Sequence, residues 1–309
     1  MNDETMILDT QADVAAFLSG QTWAIRPEQL TALCLQDSFI SQARTPRLPA
    51  IKGKIAVMPL VGILSHRSMG GIMGRLFGGT SMQQWGQAFD QMMADPSIGA
   101  IVIDGETPGG TVAGTPELAA KVFAARGKGK PIIGIANTTV GSAGYHILSQ
   151  ADQVVVSPSG EVGSIGVYAV HFDESAALEA AGIKPTFIQA GEYKTEQSSI
   201  GPLSPEAREF KQAQINREYA DFVGAVARAR GKTPAVVRDT FGKGRMIGAE
   251  AAVSLGMADR IATLDEVLDA MIPKRTGTPR RSAAERELRL LDGRETPKGW
   301  RITEPKTCD

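Results

Sequence analysis

Residues 100–148 read AIVIDGETPGGTVAGTPELAAKVFAARGKGKPIIGIANTTVGSAGYHIL, and this stretch alternates short apolar runs with helical patterns. The runs Ala100–Asp104 and Pro131–Ala136 are rich in Val and Ile, as is typical of strands that are buried on both faces. Between them, Thr115 and Pro116 mark the start of a helix and Gly127 marks its end. The alternation of strands and helices predicts a mainly parallel sheet covered by helices.

The same alternation continues outward from this stretch over residues 51–272. Four more strands are predicted, at Lys54–Leu60, Gln153–Val156, Gly166–Val170 and Pro185–Gln189. Four more helices are predicted, at Ser81–Ala94, Ser142–Gln150, Asp173–Ala181 and Pro205–Arg230. We therefore predict one α/β domain over residues 51–272.

The two flanking regions differ from this domain in composition. Residues 1–50 contain two short helical patterns, at 13–19 and 26–42, before the proline-interrupted residues 45–49, and we predict a helical N-terminal arm and a linker. Residues 273–309 contain ten Lys and Arg against six acidic residues. We predict a polar, mobile C-terminal tail with one short helix at residues 282–291.

Composition limits the class of protein. The 309 residues are 42% hydrophobic and 22% charged, which is typical of a globular chain with a sizeable core. A net charge of -1 argues against a nucleic-acid-binding protein. Two cysteines, Cys34 and Cys308, form no disulfide framework and fit a reducing compartment. With no apolar run of about 18 residues and an acidic start unlike a signal peptide, we expect a soluble, cytoplasmic protein without a membrane span.

The loop after strand Ala100–Asp104 contains the adjacent glycines Gly109 and Gly110. Ligands of parallel sheets bind beyond the carboxyl ends of the strands, so this loop is a candidate for function. Two glycines allow either a tight turn or a cradle of exposed amides for an anion or oxyanion. A phosphate-binding loop is disfavoured because no Gly-Lys-Ser/Thr follows.

The loop after strand Pro131–Ala136 contains Gly141-Ser142-Ala143-Gly144 at the start of a helix. Small neighbours would let a carbonyl group approach Ser142, and the amide of Ala143 would point at a developing oxyanion. Alternatively, Ser142 only caps the helix. The segment differs from the Gly-x-Ser-x-Gly elbow of hydrolases, because Val140 stands where the first glycine would be.

A serine nucleophile needs a base, and the chain has three histidines. His66 has no evident partner, and His146 lies one helical turn after Ser142, where a side chain usually packs inward. His171, followed by Asp173, is the stronger histidine candidate. The three histidines lack the spacing of a zinc site, so no metal is expected.

Lys194 is the alternative base, since it follows the predicted strand Pro185–Gln189 and can face the Ser142 loop. A lysine that acts as a base near pH 7 must be neutral, which costs roughly 4.6 kcal/mol because the ordinary lysine pKa is about 10.4. Burial in a site with little water can lower the pKa of a lysine by this amount. Ser164 could then orient the amine. The alternative interpretation is a solvated surface lysine.

Four segments in this order, TPGG (107–110), GSAGYHIL (141–148), EVGSIGV (161–167) and GEYKTEQSS (191–199), resemble the signal peptide peptidase A family of Ser/Lys proteases. The resemblance covers roughly residues 51–272. The distances from Ser142 to Ser164 and to Lys194, 22 and 52 positions, fit a family member with a single repeat.

The resemblance implies a role for each matching residue. Ser142 would be the nucleophile, Lys194 the general base and Ser164 the residue that holds the lysine amine, while the amides of Gly110 and Ala143 would form the oxyanion hole. The implied fold is like that of Clp protease and crotonase, a ββα superhelix. No cofactor is implied. Single-repeat members form homo-oligomeric rings or domes whose dyad is shared between neighbouring subunits.

The arm, the tail and the absence of an anchor resemble the capsid-assembly branch of the family, the prohead proteases of tailed phages. That branch implies scaffold, portal or coat proteins as substrates, in the bacterial host cytoplasm or inside an immature capsid. Three alternatives stay open: a soluble cellular signal-peptide-peptidase-like protease, a crotonase-like enzyme acting on acyl-coenzyme A, and a non-catalytic capsid scaffold or assembly protein.

One further hypothesis concerns the segment Met69–Gly79, which contains five glycines among Ile, Met, Leu and Phe residues. It is either a loose connection with a few buried anchors or the lining of a substrate entrance or subunit contact. Exposed Leu and Phe side chains favour a contact surface.

Overall fold

A computed structural model describes residues 6–8, 21–28, 49–70 and 79–271. The strands are β1 Met6–Leu8, β2 Trp23–Ile25, β3 Ala50–Lys52, β4 Ile55–Ser65, β5 Met69–Gly70, β6 Gly79–Ser81, β7 Ala100–Thr111, β8 Ile132–Gly141, β9 Gln153–Val156, β10 Glu161–Gly163, β11 Met246–Gly248 and β12 Arg260–Ile261. The helices are α1 Met82–Ala94, α2 Thr115–Ala125, α3 Ala143–Leu148, α4 Ser175–Ala180, α5 Pro205–Arg230, α6 Pro234–Thr240, α7 Ala249–Leu255 and α8 Leu264–Met271.

Several predictions fall outside the described residues. These are the helical pattern 13–19, most of the pattern 26–42, most of the linker 45–49, the segment 71–78 and the whole tail 273–309 with its short helix. The division of the chain at residues 50 and 272 therefore stays a prediction.

Ten strands of the described chain form one sheet, in which β11, β10, β8, β7, β4 and β3 follow one another. Strand β9 adds to β8, β12 to β9, β2 to β7 and β6 to β4. Strands β4, β7, β8 and β10 pair in parallel, whereas β2, β3 and β11 join antiparallel. The predicted α/β class with a mainly parallel sheet is confirmed.

Apolar side chains cover both faces of the sheet. Along β7, Ile101 and Ile103 point to one face and pack in a cluster with Phe222 of α5. Val102 points to the opposite face and packs in a second cluster with Val267 of α8. Successive residues of a strand alternate between faces, so a strand covered on both sides needs an uninterrupted apolar run. This explains the Val- and Ile-rich runs in the sequence.

Helix α5 has the bounds predicted from the sequence. The Ser204 side chain accepts a hydrogen bond from the Ala207 amide at its start, and Gly231 ends it with φ 61°. None of the helices in the described part of the chain is both long and apolar enough to cross a membrane.

Strands β7 and β8 continue well past their predicted ends, and this continuation builds the site. Their pairing shifts register between Gly105 and Thr107. Beyond the shift, β8 leaves β9 and pairs with β10 through residues 139–141. A Cβ atom on Gly105 would lie 2.6 Å from Val140 Cγ2, so a larger residue would not fit at this crossing. The polar, glycine-rich continuations lack an apolar pattern, which is why they were predicted as loops.

Two predicted strands are wrong. Residues 166–170 form no strand of their own, and Tyr168 makes an isolated bridge to Trp23. Residues 185–189 form no strand because nothing covers them in the described chain, and Ile188 is fully exposed. Conversely, β2 lies in the region predicted as a helical arm, and its three residues are buried.

Candidate active site

Ser142 lies at the junction of β8 and α3 in an unusual backbone conformation, with φ 51° and ψ -117°. Its side chain is buried, its amide donates to the Gly163 carbonyl at 2.7 Å, and its carbonyl accepts from the His146 amide at 2.9 Å. The Ser142 hydroxyl makes no capping hydrogen bond to the amides of α3, so the interpretation of Ser142 as a helix cap is wrong. Strained residues held by their surroundings concentrate at functional sites.

Close packing requires a glycine at 144 and leaves little room for a side chain at 141. A Cβ atom on Gly144 would lie 2.4 Å from Thr107 Cγ2, and one on Gly141 would lie 3.2 Å from the Pro108 carbonyl oxygen. The Ser142 turn therefore packs directly on residues 107–110, the glycine-rich end of β7, which we call the Thr107–Gly110 loop. This brings together the two loops that the sequence singled out.

The Thr107–Gly110 loop is held by hydrogen bonds of a buried threonine. Thr107 Oγ1 donates to the Gly62 carbonyl at 2.5 Å and accepts from the Gly109 amide at 3.1 Å. Gly109 has φ 112°, which favours glycine, and a Cβ atom on Gly110 would lie 1.8 Å from the Leu64 carbonyl oxygen. Both glycines are thus required by the fold. Sequence reasoning did not single out Thr107 by itself, although it holds this loop in place.

Ser164 and Ala143 both lie beside Ser142. Ser164 directly follows Gly163, the acceptor of the Ser142 amide, and is buried with φ 53°. Its own amide donates to the Arg245 carbonyl at 2.8 Å. Ala143 is the first residue of α3 and is fully buried. The structure therefore brings Ser142, Ala143, Ser164 and the Gly110 loop to one place.

Lys194 has different surroundings. It lies in a series of turns at residues 192–197, where its amide donates to the Gly191 carbonyl at 3.2 Å, and its side chain is exposed. The strand expected before it, residues 185–189, is an exposed segment without helix or strand. In a single chain, Lys194 therefore faces solvent while Ser142 is buried.

His146 and His171 have other partners. His146 is buried and stacks on Phe222, with ring centroids 4.4 Å apart, and burial, with a smaller contribution from the Arg228 charge, lowers its pKa to about 3. His146 is thus a neutral core residue. The His171 Nε2 atom lies 2.9 Å from the Gly201 carbonyl oxygen. Asp173 accepts from the Ser175 amide at 3.0 Å, and hydrogen bonds from Ser175 lower its pKa.

A polar pair lies at the edge of the site. Arg26 Nη1 lies 3.4 Å from Glu161 Oε1, which also accepts from Thr139 Oγ1 at 3.2 Å. The neighbouring strand Trp23–Ile25 was missed by sequence reasoning because three residues carry no recognisable period. Among the described residues, no group of three or more His, Cys, Asp or Glu side chains is arranged to hold a metal ion.

Comparison with known families identifies the core of the chain. Residues 124–275 match the model of Peptidase family S49. This part of the chain is a peptidase S49 domain. It contains Ser142, Ser164 and Lys194, whereas Gly110 precedes the matched residues.

The resemblance to the signal peptide peptidase family is confirmed by curated relatives of the S49 domain. A putative signal peptide peptidase of Enterococcus faecium is 25% identical over 59% of this chain and 52% of that protein. Capsid assembly protease C of Escherichia phage lambda is 28% identical over 90% of this chain and 62% of that protein. The head-tail preconnector protein of Enterobacteria phage P21 is 27% identical over 83% of this chain and 50% of that protein. The chain thus spans about half to three fifths of the length of its phage relatives.

Proposed function

We propose that this S49 domain is a serine endopeptidase with Ser142 as its nucleophile. The observation that carries the proposal is the strained, buried Ser142, held at a strand–helix junction against the Thr107–Gly110 loop. A serine in this position gains rigidity from the backbone around it, and the first amides of a helix favour negative charge. The membership of family S49 supports the same chemistry.

The reaction would proceed through an acyl-enzyme. Ser142 Oγ attacks the peptide carbonyl carbon while the neutral Lys194 amine takes the hydroxyl proton. The amides of Gly110 and Ala143 stabilise the oxyanion. The carbon–nitrogen bond then breaks, the Lys194 ammonium returns its proton to the leaving amine, and water hydrolyses the ester. Ser164 orients the lysine amine.

A shared site between neighbouring subunits reconciles this mechanism with the exposed Lys194. A neutral amine requires a place with little water, and a single chain leaves the Lys194 side chain in solvent. We propose that Lys194 of one subunit reaches Ser142 of the next in a homo-oligomer. Exposed apolar residues around it, Phe187, Ile188 and Tyr193, support burial of this segment in an assembly.

We further propose a role in capsid maturation, which the similarity to the two phage proteins supports, and scaffold, portal or coat proteins as the substrates. We propose that the protein acts in the bacterial host cytoplasm or inside an immature capsid.

The test compares wild type, Ser142→Ala and the control Ser254→Ala, which changes an exposed serine of α7. Each is co-expressed with candidate coat and scaffold proteins, and the products are analysed by mass spectrometry. The purified assemblies are also treated with a fluorophosphonate probe. Wild type and Ser254→Ala should cut the same sites and be labelled, and Ser142→Ala should do neither. Cleavage at equal rates by all three would exclude Ser142 as nucleophile.

A further inference from the structure

Strand β2 lies between two backbone segments at the candidate site. On one side Trp23–Ile25 pairs antiparallel with Gly109–Thr111. On the other side the Trp23 amide donates to the Tyr168 carbonyl at 2.8 Å, and the Tyr168 amide donates to the Trp23 carbonyl at 3.0 Å. All three β2 residues are 1–2% exposed. A segment bound through both backbone edges is held as a peptide is held when it is added to a sheet.

The register of β2 places the Ala24 carbonyl on the candidate oxyanion amide. Flanking backbone bonds are donated by Arg26 N–H to Pro108 O at 3.1 Å and by Val112 N–H to Thr22 O at 3.0 Å. In an antiparallel ladder every second residue pair is hydrogen-bonded, so Ala24 and Gly110, which lie midway between these bonds, form such a pair. The Gly110 amide, proposed to stabilise the oxyanion, is thus directed at the Ala24 carbonyl.

The peptide bond after Ala24 also lies beside Ser142. A Cβ atom on Gly109 would lie 2.2 Å from the Ala24 carbonyl oxygen, 3.0 Å from Ile25 Cα and 3.0 Å from Ser142 Cβ. The peptide group between Ala24 and Ile25 and the Ser142 side chain therefore meet at one glycine. An extended substrate would place its scissile bond at this point.

We propose that residues 22–26 occupy the peptide-binding groove of the site as an internal, substrate-like strand. The N-terminal region then blocks the groove in the same chain, and a protein substrate must displace it. The inference rests on the proposed peptidase function and adds a substrate class. Substrates bind as extended strands in the β2 register, with a small residue such as alanine at the carbonyl that faces Gly110.

The test weakens β2 without altering the groove. Ala24→Pro removes a backbone N–H that pairs with Gly110, and Ala50→Pro is the matched control in the exposed edge strand β3. Both are made in the full chain. The probes are a fluorophosphonate for Ser142 and a fluorescent peptide with the sequence of residues 20–28. Peptide binding is measured in the Ser142→Ala background, so that no cleavage occurs.

We expect Ala24→Pro to bind the peptide and to react with the fluorophosphonate at least about tenfold better than wild type, because a blocked groove lowers apparent affinity by its open fraction. Ala50→Pro should match wild type. In the Ser142→Ala chain without a proline substitution, excess peptide should increase hydrogen exchange at residues 22–26. This readout does not depend on the folding of a proline variant. No increase in exchange at saturating peptide would overturn the proposal.

The two proposals fail differently. If Ala24→Pro binds the peptide tightly but no chain is labelled at Ser142, the blocked groove stands and the peptidase proposal is wrong. If wild type and Ala24→Pro are labelled at equal rates and bind the peptide equally, the peptidase proposal stands and β2 is a permanent strand of the sheet.

Discussion

The carbonyl oxygen of Gly163 accepts a hydrogen bond from the amide of Ser142 at 2.7 Å, and this bond connects the end of β10 to the start of α3. Because Ser164 follows Gly163 in the chain, the same bond fixes the relative position of the two serines. Neither residue is placed by a helix or strand alone. The site is set by contact between the ends of neighbouring strands.

Replacing Gly163 should therefore damage the site. Gly163 has φ 133°, and a Cβ atom there would lie 2.6 Å from the Arg245 carbonyl oxygen. We expect Gly163→Ala to lower the free energy of unfolding by about 1–3 kcal/mol and to slow fluorophosphonate labelling of Ser142. The control Gly224→Ala, at an open position in α5, should raise stability by up to about 1 kcal/mol. Urea titration and labelling kinetics check both, and unchanged labelling in Gly163→Ala would contradict the expectation.

The hydroxyl of Thr107 should contribute to activity through the loop that it holds. Thr107→Val keeps the shape of the side chain but removes its bonds to Gly62 and Gly109, so we expect a loss of about 1–3 kcal/mol in stability. Catalytic turnover should fall more than substrate affinity, because the Gly110 amide loses its position. Thr107→Ser keeps the hydroxyl and should recover most of the turnover. Equal turnover in Thr107→Val and wild type, measured on the same peptide, would rule out this positioning role.

A shared site predicts complementation between two inactive chains. Ser142→Ala keeps Lys194, and Lys194→Ala keeps Ser142. In an equimolar mixed assembly, about a quarter of the sites combine an intact serine with an intact lysine from its neighbour. We expect about a quarter of the wild-type rate after the two variants are unfolded and refolded together, and none from either alone. A mixture as inactive as its components would mean that each site lies within one chain.

Sequence patterns predicted most of the parallel sheet and the location of the site at its carboxyl edge, although the segments expected there as loops are continuations of β7 and β8. The apolar runs at 100–104 and 153–156 were sufficient to predict strands because both faces of these strands are covered. The position of Ser142 followed from the strand–loop–helix order. Its strained φ could not be predicted from small neighbours alone, since it depends on the bond to Gly163, 21 positions away.

Other features depend on contacts that no local pattern encodes. Strand β2 exists because Gly109–Thr111 and Tyr168 offer it backbone partners on both sides. Residues 185–189 have the apolar composition of a strand but no neighbour in the described chain to pair with. The roles of Lys194 and Ser164 were first proposed from their positions in the sequence and then supported by the family resemblance, and they stay predictions.

The exposed segment around Ile188 should be a subunit contact. Ile188 is 100% exposed and Phe187 is 49% exposed. We expect Ile188→Glu to weaken self-association at least tenfold, because a charge would have to be buried in the contact. Ile51→Glu, at an isoleucine of β3 that is 57% exposed, is the control and should leave association unchanged. Sedimentation equilibrium measures both, and an unchanged dissociation constant for Ile188→Glu would place the subunit contact elsewhere.

The buried His146 should make the fold less stable in mild acid. Its pKa in the folded chain is about 3, against 6.5 ordinarily, so below pH 6.5 the unfolded chain binds a proton that the folded chain does not. The contribution of neutral His146 to the free energy of unfolding is full above pH 6.5 and is lost as the pH falls toward 3. At pH 5 the folding equilibrium constant is lower by roughly 30-fold for this reason.

His146→Phe keeps an aromatic ring against Phe222 and removes the titration. The roughly 30-fold fall of the folding equilibrium constant that His146 causes in wild type between pH 7.5 and pH 5 should therefore be absent in this variant. Phe222→Leu weakens the same contact but keeps the imidazole, so it should be less stable at both pH values and retain the wild-type pH dependence. Urea titrations at the two pH values give these differences. If wild type and His146→Phe lose stability equally on acidification, the imidazole is not held neutral in the folded core.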